Sequence, residues 1–372
     1  MKSLNNNQQA FFELLRAGLW NEEARLSKFG AINLKEICRI AEEQSVVGLV
    51  AAGLEHVTDV KLPKEEVLLV VGQTLQLEQR NKAMNAFVAK LIGRLRDAGI
   101  YALLVKGQGI AQCYEKPLWR ACGDVDLLLN ADDYEKAKKL LLPLATEVET
   151  EYTHFKHVGM TIDGWVVELH GTLHSRLSKR VDRQIDAVQE DTFKLGNVRS
   201  WENGGVTVFL PAVDNDVIFV FTHILHHFFF EGIGLRQICD WCRLLWTYRY
   251  VIDVAGLALR LDEMGIMSEW KAFATYAVEY LGMPAEAMPL YSDDAKWSRK
   301  AVRINAFVLE VGNFGHKQRR DYGGMSYLRR KFVSFWGRLS DMLRHFSIFP
   351  LDSIRFFGGV LRSGLHAAVR GE

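Results

Sequence analysis

The apolar residues of this chain change period at Gly99 and change back near Asp214. From Asn6 to about Ala98 they recur at helical spacing through "AFFELLRAGLW", "LKEICRIAEEQSVVGLVAAGLE" and "EEVLLVVGQTLQLEQRNKAMNAFVAKLIGRLRDAG", so each segment can bury one stripe as a helix. Pro63 stands where it can open the third helix and Gly99 where it can close it. The next run, "IYALLVKG", is short, aliphatic and stopped by Gly107, which reads as a buried strand.

A short helix is expected through "GIAQCYE", a loop at Pro117, a strand at "DVDLLLN", and a helix at "ADDYEKAKKLLLPL" with Asn130 and Asp132 as candidate caps. The strands "HVGMTIDG" and "WVVELHGTL" follow, joined by an Asp-Gly turn at Asp163 and Gly164. Helical spacing returns in "DNDVIFVFTHILHHFFF", "RQICDWCRLLWTYR" and "DVAGLALRLDEMG". The expected class is α+β, with a mixed-sheet core at 99–212, a helical region at 1–98 and a second helical region at 213–372. A length of 372 residues exceeds what one hydrophobic core usually serves, and 49% apolar with 24% charged residues is the composition of an ordinary globular protein.

Five cysteines without scaffold-like spacing suggest free thiols in a reducing compartment. The start "MKSLNNNQQAFFELL" lacks the features of a secretory signal, and no uncharged apolar run approaches the roughly 20 residues that span a bilayer. A cytoplasmic location is expected. The net charge of +1 makes no global case for a nucleic-acid partner. Charge is uneven, however: Lys317 to Glu372 holds eleven Lys or Arg against four acids, interleaved with "FVSFW", "HFSIF" and "IRFFGGVL". Packing onto the helical body is the expected use of this tail, with peripheral membrane or protein contact as the alternative and nucleic acid third.

Side chains alternate across a strand, so in "GDVDLLL" Asp124 and Asp126 share one face while Val125 and Leu127 share the other. Two like charges held together repel, and a cation between them resolves the repulsion. Mg²⁺ suits this, being a hard ion commonly held by one or two carboxylates plus substrate phosphates. Glu168 in "VVELH" would complete a triad if its strand is a neighbour, able to hold two metals or to deprotonate an attacking hydroxyl. Upstream, "LLVKGQG" offers Lys106 and a turn at Gly107 and Gly109 whose amides could meet phosphate oxygens. The bland alternatives are a solvated strand end, a surface lysine and ordinary turn glycines.

Together, "LLVKGQGIAQCYEKPLWRACGDVDLLL" resembles the signature of the uncharacterised bacterial nucleotidyltransferase family, a branch of the DNA polymerase beta-like nucleotidyltransferase superfamily. The resemblance rests on Lys106, Gly107, Tyr114, Pro117, Arg120, Gly123, Asp124 and Asp126, and continues through Glu168 and His170 to Arg236 and Asp240. It implies the superfamily's small mixed sheet extended by helices on both sides. The implied activity is transfer of a nucleoside monophosphate from an NTP to an acceptor, with two Mg²⁺ ions, or Mn²⁺ in their place. Where the wider superfamily has a glycine-serine turn this chain has Lys106 and Gly107, so Lys106 and backbone amides would replace a hydroxyl at the phosphates.

The expected roles follow. Asp124 and Asp126 bind metal, Glu168 is a third ligand or general base, and Lys106 steadies the β or γ phosphate as a point charge. Gly107, Gly109 and Gly123 shape the nucleotide site. Arg120 is expected either on phosphate or on Asp124 or Asp126. His170, on the same strand face as Glu168, touches substrate or positions the acid. The acceptor, whether sugar, protein, RNA or small molecule, is not encoded. A catalytically silent nucleotide-binding or scaffolding protein of the same fold is the alternative, and a hydrolase using the same site is a third reading.

Three further signals are read as structural. His223, His226 and His227 in "HILHHFFF" share a helix face but lack metal-finger spacing. Cys239 and Cys242 in "CDWC" lie inside a helical run and are expected to be buried. Asp240 is expected to pair with Arg236, four residues earlier.

Overall fold

The computed structural model describes residues 4–151, 156–312 and 343–356. It is a mixed α+β fold, as the change of period implies. Four helices come first: α1 (Asn6–Trp20), α2 (Leu34–Glu43), α3 (Val47–Leu54) and the long α4 (Lys64–Asp97). The expected second helix is two, because the chain breaks at Gln44–Val46, where Ser45 takes a positive φ of 55°. Gly99, at φ 70°, ends α4; its amide bonds Arg96 and that of Ile100 bonds Leu95, satisfying carbonyls the helix leaves open.

The core then runs β1 (Ala102–Val105), α5 (Gly107–Ala111), β2 (Asp124–Leu129), α6 (Ala131–Leu141), β3 (Glu147–Val148), β4 (His157–Ile162) and β5 (Trp165–His170). Asn130 caps α6 by accepting the amides of Asp132 and Asp133. Sheet order is β1-β2-β5-β4-β3, with β2 and β5 parallel and the other pairs antiparallel. Asp163 and Gly164 both take positive φ in the β4–β5 turn, the conformation that a two-residue hairpin demands. After α7 (Lys179–Leu195) comes a hairpin absent from the sequence reading, β6 (Val198–Asn203) with β7 (Val206–Pro211). Then follow α8 (Val213–Phe230), α9 (Leu235–Thr247), α10 (Val254–Met264), α11 (Met267–Leu281) and α12 (Ala295–Val311).

One sheet face is buried under α4 and α6: Leu104, Val125, Leu127, Leu129, Met160, Val167 and Leu169 meet Val88, Leu91, Ile92, Tyr134 and Leu141. Leu127, Leu129 and Leu169 are fully buried, and each contributes about 1.5–3 kcal/mol of hydrophobic stabilisation. Leu103, Val105 and Leu128 face the opposite way, into a second core built from α1 to α3 and α8 to α12. Helices that precede the sheet in the chain and helices that follow it therefore share this second core. Among the described residues no helix is long and apolar enough to cross a membrane.

Most of the basic tail from Lys317 lies outside the described residues. Within 343–356, His345 packs on Phe228 and Phe307, and Phe356 packs on Phe229. Cys239 and Cys242 are buried free thiols inside α9.

Gly48 on α3 touches the backbone that leads into β2. A Cβ there would stand 1.9 Å from the carbonyl oxygen of Trp119, a clash that only backbone movement relieves. Gly48→Ala is expected to cost about 1–3 kcal/mol or more in urea unfolding. Gly72→Ala, with nothing within 4 Å of its new methyl, should instead gain roughly 0.5–1 kcal/mol. Equal effects at the two sites would contradict this packing.

Candidate active site

The strand register brings the acids together. Antiparallel pairing sets Val105 opposite Asp126, so Lys106, the next residue, projects beside β2. Parallel pairing sets Glu168 opposite Asp126. The β4–β5 hairpin sets His157 opposite His170. Asp124, Asp126, Glu168, His157 and His170 then line one cavity of about 390 Å³, together with Lys106, Gly107 and Arg236. Its far wall is α8, which contributes His223, His226 and His227.

Asp126 is the centre of the contacts and is only 3% exposed. Its Oδ1 accepts from Lys106 Nζ at 2.7 Å and lies 2.8 Å from His170 Nε2. Glu168 Oε2 lies 3.2 Å from His157 Nε2 and 3.4 Å from His170 Nε2. Burial and the neighbouring Asp126 raise the pKa of Asp124, as a repelled carboxylate should behave. Burial also pushes Glu168 upward, but hydrogen bonds from His157 and His170 outweigh it and hold its pKa well below the usual range. For Lys106 burial opposes the charge, while Asp126, Glu168 and Asp124 more than offset it, so its pKa is raised. His170 is likewise disfavoured as a cation by burial, yet its bonds to Asp126 and Glu168 raise its pKa. On the opposite wall burial and the Lys106 charge push His223 well below its ordinary value, so it is neutral near pH 7.

Lys106 has φ 58° and ψ −146°, a region that costs a residue with a Cβ on the order of 1–3 kcal/mol. The tight reversal between β1 and α5 demands it, and the reversal aims the ammonium back over β2.

Arg120 pairs with neither expected carboxylate. Its guanidinium clasps Asp240 through two bonds of 3.0 and 2.6 Å, and the Tyr114 hydroxyl donates to the same carboxylate at 2.7 Å. This corrects the expected Arg236–Asp240 pair: Arg236 Nη1 donates instead to the Ala121 carbonyl at 2.9 Å. Asn81 of α4 donates to the carbonyls of Leu118 and Arg120, and Gln108 donates to Asn81. These buried bonds anchor the loop that delivers Asp124.

Gly107 lines the cavity; Gly109 and Gly123 do not. A Cβ on Gly109 would sit 2.8 Å from Leu210 Cδ2, so its smallness serves the contact with β7. Gly123 is exposed with open space around it. Of the α8 histidines, His223 and His227 face each other with Nε2 atoms 2.9 Å apart, and His226 Nδ1 lies 2.7 Å from the Ser175 carbonyl oxygen. His157 and Arg236 line the cavity although neither was named as a site residue from sequence, and so do His174, Ser175, Arg176 and Glu231.

A family described as "Uncharacterised nucleotidyltransferase" matches residues 30–282. No curated protein matches the chain. Among solved structures, an antigenic nucleotidyltransferase-like protein from Paracoccidioides brasiliensis aligns with a TM-score of 0.34 and 15% identity, covering 58% of this chain and 95% of that one. At that score the likeness adds nothing to the site.

The Lys106 backbone gives a direct test. Lys106→Ala and Lys106→Gly both remove the ammonium, so their difference in stability isolates the backbone strain. The glycine variant should be more stable by about 1–2 kcal/mol in chemical denaturation. An alanine variant as stable as the glycine one would remove the case for strain.

Proposed function

From its membership of the uncharacterised nucleotidyltransferase family, we propose that the chain transfers a nucleoside monophosphate from an NTP to a hydroxyl or phosphate acceptor, using Mg²⁺. The observation that carries this reading is the set of three carboxylates, Asp124, Asp126 and Glu168, acting on the Lys106 ammonium inside one cavity. Carboxylates this close, one of them buried, are stable only with positive charge among them, and the donor set is the hard oxygen set that Mg²⁺ takes.

Asp124 and Asp126 would hold the metal, with Glu168 as a third ligand or as the base for the acceptor hydroxyl. When bound, the metal would neutralise triphosphate charge and stabilise the pyrophosphate leaving group. Lys106 would turn from Asp126 to the β or γ phosphate, a short move for a flexible ammonium stem. Glu168, kept ionised by His157 and His170, is ready as an oxygen ligand, and the same bonds weaken it as a base. Arg120 contributes by fixing the loop ahead of Asp124 through Asp240. The α8 wall, with neutral His223, faces the acids and is the side on which an acceptor would enter. A silent scaffold has no comparable use for a charged, buried cluster open to a cavity.

Asp124→Asn should lower Mg²⁺-dependent nucleotide binding and transfer on the order of 100-fold or more. Binding can be followed by calorimetry and transfer with each labelled NTP in turn against sugar, protein and RNA fractions. Equal binding of Mg²⁺ and nucleotide by this variant and the native protein would sink the metal assignment. Label released only as free nucleotide, with no fraction acquiring it, would favour the hydrolase.

A further inference from the structure

The sheet carries more donors than an all-oxygen magnesium site uses. His157, Glu168 and His170 each present one ligand atom, and the three atoms lie within 4.8 Å of one another. Glu168 Oε2 is approached by both imidazoles, at 3.2 Å from His157 Nε2 and 3.4 Å from His170 Nε2. The rings lie 4.7 Å apart and tilted by 31°. Their positions are set by the β4–β5 register, with His157 directly opposite His170 and Glu168 two residues before it. Donors on paired strands are held far more firmly than donors on loops.

We propose that His157, His170 and Glu168 form a nitrogen-containing site for a divalent transition ion, beside the all-oxygen site of Asp124 and Asp126. Two imidazoles and a carboxylate are the donor set that suits Mn²⁺, Co²⁺ or Zn²⁺, whereas Mg²⁺ is selected by oxygen alone. His170 Nε2 faces Asp126 Oδ1 at 2.8 Å and Glu168 Oε2 at 3.4 Å, and one imidazole proton cannot serve both carboxylates well. A divalent ion would take Glu168 Oε2 and both ring nitrogens together, leaving Asp126 to Lys106 and the all-oxygen site. Glu168 would then be shared between two chemically different halves of the centre, a hard half for the nucleotide's magnesium and a borderline half for a resident ion. This inference rests on the nucleotidyl-transfer reading for the ion's purpose and not for its existence.

The competing account is a hydrogen-bonded chain, His157 to Glu168 and His170 to Asp126, that merely orients the acids. Co²⁺ separates the two because its visible d–d absorption shifts and intensifies away from that of the aqua ion when imidazole nitrogens replace water. The chelator-treated full chain, without nucleotide, should develop that band with roughly one equivalent of Co²⁺ and keep it in excess Mg²⁺. His170→Ala should weaken Co²⁺ binding at least about 10–100-fold. His157→Gln should do the same even though its amide can still donate to Glu168, and its retained melting temperature would show that the fold survives. Asp124→Asn should leave the band intact while losing Mg²⁺–nucleotide binding, so failure of nucleotidyl transfer and failure of this site would be seen separately. A band absent from the native protein, displaced by Mg²⁺, or unchanged in His157→Gln would overturn the proposal.

Discussion

The parallel pairing of β2 with β5 is the constraint around which the site is organised. It sets Glu168 opposite Asp126, while the alternation of β2 sets Asp124 on the same face. A sheet that concentrates acids in this way is destabilised unless a cation lies among them. Here the chain provides its own in Lys106, at 2.7 Å from Asp126. The backbone that delivers this lysine is itself strained, at φ 58°. One unfavourable term is thus used to relieve another, a combination that ordinary packing would not retain.

What surrounds the site explains how it keeps its shape. The loop from Pro117 to Gly123 has no regular structure beyond a single turn at Pro117–Trp119, yet it delivers Asp124. It is held by Asn81 and Gln108 beneath it and by the Arg120–Asp240–Tyr114 cluster beside it. Breaking a buried pair of this kind by removing one partner typically costs about 3–5 kcal/mol. Asp240 belongs to α9 and Asn81 to α4, so the helices before and after the sheet both grip the loop.

Much of this was legible in the chain. Period alone separated helical from strand-bearing segments, and the i, i+2 spacing placed the two aspartates on one face. The α2–α3 break escaped because "EEQSVVG" continues a helical pattern, and only a positive φ at Ser45 interrupts it. The β6–β7 hairpin was missed although "WENGGVTVF" carries a glycine turn between two alternating runs. Asp240 was assigned to Arg236 by local spacing, whereas Arg120, distant in sequence, won the carboxylate with two bonds. Local rules cannot rank a helical neighbour against a tertiary one. His157 is different, because its place was encoded: a two-residue turn at Asp163 and Gly164 pairs residues outward from Ile162 and Trp165 and so puts His157 against His170.

The two walls of the cavity differ in kind, and that difference bears on whether the fold is used for chemistry or only for binding. The sheet wall holds Glu168, kept ionised by its histidine bonds, and a raised-pKa lysine; the α8 wall holds histidines, of which burial keeps His223 and His227 below their ordinary values. This cavity gathers its carboxylates on the sheet beside Lys106, with Arg120, Arg176 and Arg236 and the α8 histidines also in its lining. An anionic nucleotide could approach these carboxylates only with a cation to mediate.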